Sequence, residues 1–281
     1  IAYLMERERA DFAVVLDQIH RVLSPQAVAV QLPIGSESSF EGMVDLVAQK
    51  AYRFSEDGRD VTVSDVPASL AAATKEARDK LIEEVAGSDD DLMAAYFDHG
   101  TLTDEELQLG LQRAVAAGKL FPVFCGSAAQ NRGVQPLLDA MVAWFPPASA
   151  GRTRTGSGKS GSEVRRSPKS SEPLSAYVFK IIPTEVGKMA LVRIVSGKIA
   201  ADSPIWNASH DKGERVGQLY VFTPGKRTSV PEAHAGDIVG LAKLKLTRIG
   251  DTFSDEKELV KFAAPTVPAP VVRYSLHLKG K

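Results

Sequence analysis

Between residues 8 and 23 apolar side chains recur at the helical interval. Phe12, Val15, Leu16, Ile19, Val22 and Leu23 share one face, which predicts an amphipathic helix. The pattern then shortens. Residues 27–32 (AVAVQL) form an apolar run closed by Pro33, as a buried strand does. Residues 42–54 (GMVDLVAQKAYRF) read as a hairpin or two short strands around Gln49 and Lys50. A long stretch of good helix formers over 68–86 sets Leu70, Ala77, Leu81 and Val85 to one side. Asp89 and Thr103 are placed to cap two further helices, and Glu106 follows Thr103 at the capping-box interval. Residues 120–124 (LFPVF) predict another buried strand, and 133–145 a helix ended by Pro146 and Pro147.

Beyond residue 172 the pattern is one of short strands, at 174–182, 189–196, 203–207, 214–221, 237–246 and 271–278. Turn signals separate them, such as Ser196-Gly197-Lys198 and Asp211-Lys212-Gly213, and this spacing predicts an antiparallel barrel or sandwich. The Pro-rich stretch 254–270 leaves that barrel, so strand 271–278 is expected to open a further domain. Residues 149–172 hold seven Ser, four Gly and one large aliphatic residue, Val164. So little apolar area does not offset the entropy of ordering, and a flexible basic linker and domain boundary is expected there.

Composition narrows the class. At 44% apolar and 25% charged, the 281-residue chain is globular, and it has no apolar run of 18 residues to span a membrane. No secretory signal pattern opens the sequence. The single cysteine, Cys125, excludes a disulfide framework and a cysteine metal site, and fits a reducing cytoplasm. The net charge of −1 conceals a split: −11 over residues 1–148, +4 over 149–172 and +6 over 173–281. The back half is thus either suited to a polyanion or simply a solvated surface.

Gly158-Lys159-Ser160 looks like the end of a phosphate-binding loop, but the required earlier glycine is Thr153, and no strand and helix flank it. His20, His99, His210, His234 and His277 are scattered, without metal-ligand spacing. Asp89-Asp90-Asp91 reads better as a helix start than as a cation site. The most specific segment is 120–138 (LFPVFCGSAAQNRGVQPLL): a buried strand, a turn of small residues and a helix. Gly126, Ser127 and Ala128 are small enough for backbone N–H groups to approach a ligand, though an ordinary β–α turn has the same pattern.

Long ordered stretches resemble translation elongation factor G and its paralogues, a family of ribosomal GTPases. They are RERADFAVVLDQI (7–19), VQLPIG (30–35), FEGMVDLVAQKAYRF (40–54), 68–118, PVFCGSAAQNRGVQPLLDAMV (122–142), FK with VGKMALVRIVSGKI (179–199) and HAGDIVGL (234–241), with VPAPVVRYSLHLKGK (267–281) similar to the start of the family's third domain. The resemblance implies an α/β remnant of a P-loop GTPase domain over 1–148, with an inserted α+β subdomain at about 34–119. The linker 149–172 follows, longer than the short connection expected of the family. An all-β antiparallel barrel over 173–265 and a truncated third domain at 266–281 complete the chain. The family's guanine-reading Asn-Lys-x-Asp falls on Tyr3-Leu4-Met5-Glu6, where only a carboxylate survives. Its second guanine element, a Ser-Ala turn presenting backbone N–H to the base, matches Ser127 and Ala128.

The resemblance further implies GTP or GDP and Mg2+ in the full-length parent, with none bound by this chain, and GTP hydrolysis by the parent only. Ribosomal RNA contacts are expected at Lys188, Arg193, Lys198 and Arg215. Large-subunit stalk proteins are expected to meet the acidic inserted subdomain. No membrane and a monomeric state are expected. Two alternatives stay open: a non-enzymatic RNA-binding or regulatory paralogue, and a ribosomal protection or GTPase release factor.

Overall fold

The computed structural model describes residues 4–184, 187–266, 268–269, 271–272, 274–275 and 277. The chain divides into two compact units, residues 1–146 and 147–281.

In the first unit, helix α1 (Phe12–Val22) starts where Asp11 accepts a hydrogen bond from Val14 N. Phe12 is buried and Val15, Leu16 and Ile19 pack beside it, whereas Val22 and Leu23 at the end of the expected apolar face are mostly exposed. The expected strand at 27–32 is two strands. β1 (Ala27–Ala29) and β2 (Gln31–Ile34) meet at Val30, whose N–H donates to Val123 and whose carbonyl accepts from Leu46. β2 continues into an antiparallel sheet with β3 (Gly42–Asp45), β4 (Lys50–Phe54) and β5 (Val61–Asp65) in sequential order. The tight β3–β4 turn places Gln49 at positive φ.

Helices α2 (Ala71–Ala86), α3 (Asp90–His99) and α4 (Asp104–Ala117) come next. Asp89 caps α3, and Thr103 with Glu106 forms the reciprocal capping box of α4. Leu81, Val85, Leu107 and Leu111 are fully enclosed between these helices. Arg78 is buried among them. Its guanidinium donates to the carbonyls of Leu46 and Val47 and pairs with Asp104 at 2.5 Å, which ties α2 to the strand end and to α4. The chain then returns as β6 (Phe121–Val123), parallel to β1, and runs into α5 (Val134–Trp144). Everything between β1 and β6 is thus inserted between two adjacent parallel strands.

The second unit is antiparallel. Its opening stretch is not a linker: β7 (Arg154–Ser157) and β8 (Glu163–Arg166) form a hairpin. What holds it is a few long-range contacts rather than composition. Val164 packs with Val195, Val260 and Phe262; Arg166 is buried and donates to the Glu258 carbonyl; Ser157 and Lys261 exchange two backbone hydrogen bonds. Gly156 lies so close that a Cβ there would stand 2.6 Å from Val260 and 2.7 Å from the Lys261 carbonyl.

The remaining strands are β9 (Ser175–Thr184), β10 (Gly187–Ser196), β11 (Lys198–Ala200), β12 (Pro204–Asn207), β13 (Lys212–Arg215), β14 (Leu219–Thr223), β15 (Lys226–Val230), β16 (Glu232–His234), β17 (Ile238–Ala242) and β18 (Thr252–Ser254). Eight of them form one sheet in the order β13-β12-β18-β9-β10-β17-β14-β15, while β11 pairs with β16. β13 and β14, near opposite ends of that order, are halves of one run bent at Val216–Gln218, so the sheet curls back towards itself. Ala190, Val192 and Ile194 of β10 point into the enclosed core with Val178, Leu219, Leu241 and Phe253. By strand alternation, Arg193 and Val195 face outwards, under the β7–β8 hairpin. The strand expected at 271–278 lies partly outside the described residues, and the described ones carry no strand.

Candidate functional site

Two places concentrate the chemistry singled out in the sequence. The first is the turn between β6 and α5. Ser127 is fully buried, and its N–H and carbonyl exchange 2.9 Å hydrogen bonds with Arg132, closing the loop. Its hydroxyl accepts from Gln130 N at 3.2 Å. Ala128 is exposed, and among the described residues nothing accepts from its N–H. Met5 N donates to the Gly126 carbonyl at 3.3 Å, which brings the segment bearing Glu6 beside this turn. Glu6 Oε2 is enclosed without a hydrogen-bond partner. Tyr3 lies outside the described residues. Of the donors expected to face a base, the Ser127 N–H is already engaged and only that of Ala128 remains.

Cys125, just before the turn, packs among Met5, Met43 and Val123, and burial pushes its thiol up to about 12. Among the described residues, no group of His, Cys, Asp and Glu side chains is arranged to hold a metal ion. No described helix is long and apolar enough to cross a membrane.

The second place is the cationic surface of the β-rich unit. The four expected RNA-contact residues do not form one cluster. Lys188 and Arg193 leave β10 on opposite faces, being an odd number of residues apart. Lys198 on β11 is paired with Glu232 at 3.5 Å. Arg215 is exposed at the end of β13, opposite Pro204. Arg193 instead stands across the strand pair from Tyr177, in company with Arg152 and Arg154.

A polar network that sequence patterning does not reveal fixes the loop carrying Lys243, Lys245 and Arg248. Asn207, fully buried, donates to Asp251 at 3.1 Å and to Glu214 at 3.3 Å. Glu214 also accepts from Lys245 N, Leu246 N and Thr247 Oγ1 at 2.7–3.0 Å. Burial pushes the Glu214 carboxyl up, but these hydrogen bonds together outweigh it and hold the group below its usual range. A lowered folded value stabilises above the unfolded carboxylate range, and that contribution is lost as pH falls through the folded value. Glu214→Gln is therefore expected to lower the melting temperature near neutrality and to flatten its acid limb, as followed by thermal melts between pH 3 and 7. An unchanged acid limb would refute the assignment.

Comparison with known proteins sharpens the second unit. Residues 173–256 match the family model for elongation factor G domain 2. Within the β-rich unit, the strands from β9 to β18 are thus similar to elongation factor G domain 2. A crystal structure of a protein from Thermus thermophilus superimposes with a TM-score of 0.77 at 24% identity. It covers 97% of this chain, which spans 38% of that longer one, so the fold of both units is shared with it. The matched elongation factor G domain 2 segment starts just after the β7–β8 hairpin, and it contains Lys188, Arg193, Lys198 and Arg215.

Proposed function

We propose that this chain is the ribosome-binding part of a translational GTPase resembling elongation factor G. In this reading the β-rich unit sits on ribosomal RNA, and the turn after β6 is the base-facing end of a guanine-nucleotide domain. The observation that carries it is the domain 2 match over a unit whose residues 173–281 hold a net charge of +6. The acidic front unit, with α2–α4 inserted between parallel strands, is the complementary surface for a basic large-subunit stalk protein.

At the nucleotide end, the Ala128 N–H and the Glu6 carboxylate fit a guanine in part: one is an unused donor, the other an enclosed oxygen without a partner. Hydrolysis in such enzymes rests on phosphate positioning, with a bound Mg2+ neutralising charge on the phosphates. The 281 residues contain no Gly-x-x-x-x-Gly-Lys-Ser/Thr loop to hold those phosphates. The engaged Ser127 N–H favours, as a second reading, a paralogue that binds RNA without reading guanine.

Calorimetric titration with GTP and GDP is expected to give no micromolar binding to this chain. Association with ribosomal RNA is expected to weaken steeply as salt rises, with a log–log slope of about −0.7 to −0.9 for each phosphate contacted. Micromolar GTP affinity would overturn the first expectation, and salt-independent RNA association the second.

A further inference from the structure

Arg152, Arg154 and Arg193 line one cleft of about 420 Å3 in the β-rich unit, together with Thr153 and small or apolar residues such as Ala148 and Pro168. Among the described residues no carboxylate lines it. Among the same residues none of the three guanidiniums has an ion-pair partner, whereas the nearby Arg165, Arg166 and Lys198 are paired with Glu163, Glu258 and Glu232. Arg154 is held in place by stacking: its guanidinium carbon lies 4.6 Å from the Tyr177 ring centre and 4.7 Å from that of Phe262. Tyr177 is the direct cross-strand neighbour of Arg193, so both side chains stand on the outer face that the β7–β8 hairpin covers. The hairpin's own anchors, Val164 on Val260 and Phe262 and Arg166 on the Glu258 carbonyl, fix the strand that carries Arg154.

Three cations gathered against an apolar floor, with none compensated, repel one another unless an anion joins them. Planar guanidiniums present paired donors that match phosphate oxygens. The volume suits one nucleotide unit and not a duplex. We infer that this cleft binds a backbone phosphate of single-stranded RNA through Arg152, Arg154 and Arg193, with the stacked Arg154 as the fixed member. The inference rests on the RNA-binding reading of this unit and names where on the unit one strand is gripped.

The test uses the whole chain and a labelled single-stranded oligouridylate, followed by fluorescence anisotropy across a potassium chloride series. Arg152 and Arg193 are exposed and, among the described residues, their side chains make no ion pair, so the pair Arg152→Gln and Arg193→Gln is expected to leave the fold intact, as a thermal melt checks. That double variant is expected to bind about tenfold more weakly. Its log–log salt slope is expected to be shallower by about 0.7 or more, one phosphate contact's worth for a single strand. Arg154→Lys, which keeps the charge and loses the stacked fork, is expected to weaken binding several-fold with little change in slope. A matched pair at the β14–β15 turn, Lys226→Gln and Arg227→Gln, is expected to matter less.

Equal loss from that control pair, or unaltered binding by the cleft variants while the native chain binds RNA, would overturn the cleft and leave the RNA reading standing. Failure of the native chain to bind the RNA even at low salt would remove the RNA reading itself. Uridine monophosphate is expected to compete weakly; competition at equal concentration would point to a free-nucleotide site. Polyglutamate bound with the same arginine dependence would point to an acidic peptide. Either result overturns the assignment to RNA.

Discussion

A valine in place of Gly133 is expected to destabilise the first unit by about 3 kcal/mol and to open the turn that carries Ser127 and Ala128. Gly133 begins α5 at φ +84, a conformation that a β-branched residue adopts at a cost of about 1–2 kcal/mol. Space adds to the strain. A Cβ at this position would stand 2.7 Å from Met43 Cε, 2.9 Å from the Cys125 carbonyl and 3.3 Å from Gly126 Cα. The methionine end can swing aside, but the backbone on both sides of Gly126 cannot, and overpacking of this kind costs about 1–3 kcal/mol. The backbone would have to yield between Cys125 and Gly126, which is where the Met5 N–H docks and the Ser127–Arg132 pair begins. Urea unfolding followed by Trp144 fluorescence measures the effect, since Trp144 is buried in this unit and the other tryptophan, Trp206, belongs to the second. A midpoint within experimental scatter of the native one would show that the turn accommodates a side chain and that the approach of Cys125 and Gly126 is not limiting. Gly133→Ala is the informative companion: it shares the backbone strain and the Cβ contacts but adds no γ-methyl groups.

The elements legible in the sequence are those whose cause is local. Asp89 and Thr103 with Glu106 act as caps because a side chain within three residues satisfies the first backbone donors. The 42–54 hairpin is readable because alternation and a turn at Gln49 lie within one short window. What escapes depends on partners far along the chain. The run AVAVQL reads as one strand, yet its two halves belong to different sheets because Val30 bonds to Val123 on one side and Leu46 on the other. Residues 149–172 look like a linker by composition, but Gly156, Val164 and Arg166 find Val260, Phe262 and the Glu258 carbonyl nearly a hundred residues on. The same holds for the site. Ser127 and Ala128 are visible as a small-residue turn, whereas Arg152 and Arg154 are invisible as partners of Arg193 because only the hairpin brings them to it. Thr74 and Arg78, polar residues on the buried side of α2, carry no periodic signal at all.

Raising the pH above 9 is expected to destabilise the first unit through Cys125. Its thiol, ordinarily near 9, is pushed up to about 12 by burial. A folded value above the unfolded one means that the protonated thiol is favoured by folding. Its contribution is fully present below pH 9 and is lost progressively between pH 9 and 12. Each pH unit in that window is worth about 1.4 kcal/mol, so the loss is about 2 kcal/mol at pH 10.5 and about 4 kcal/mol by pH 12. Tyrosines and lysines titrate in the same range, so the quantity to read is a difference. Urea unfolding of the native chain and of Cys125→Ala at pH 8 and pH 10.5 isolates the thiol. The alanine variant starts weaker because it leaves a small void among Met5, Met43 and Val123, but it escapes the cysteine-linked part of the alkaline loss. Parallel losses in the two proteins would mean that the thiolate is tolerated in the fold. The result bears on the adjoining turn. Cys125 immediately precedes Gly126, Ser127 and Ala128, and its own N–H is held by Gln31 Oε1 at 3.3 Å. A thiol that ionises only on opening therefore reports how often the turn opens, and alkylation at pH 8.5 should label Cys125 far more slowly in the native chain than in urea. Guanine binding at Ala128, if a longer chain supplies the phosphate loop, would slow that labelling further without touching the sulfur.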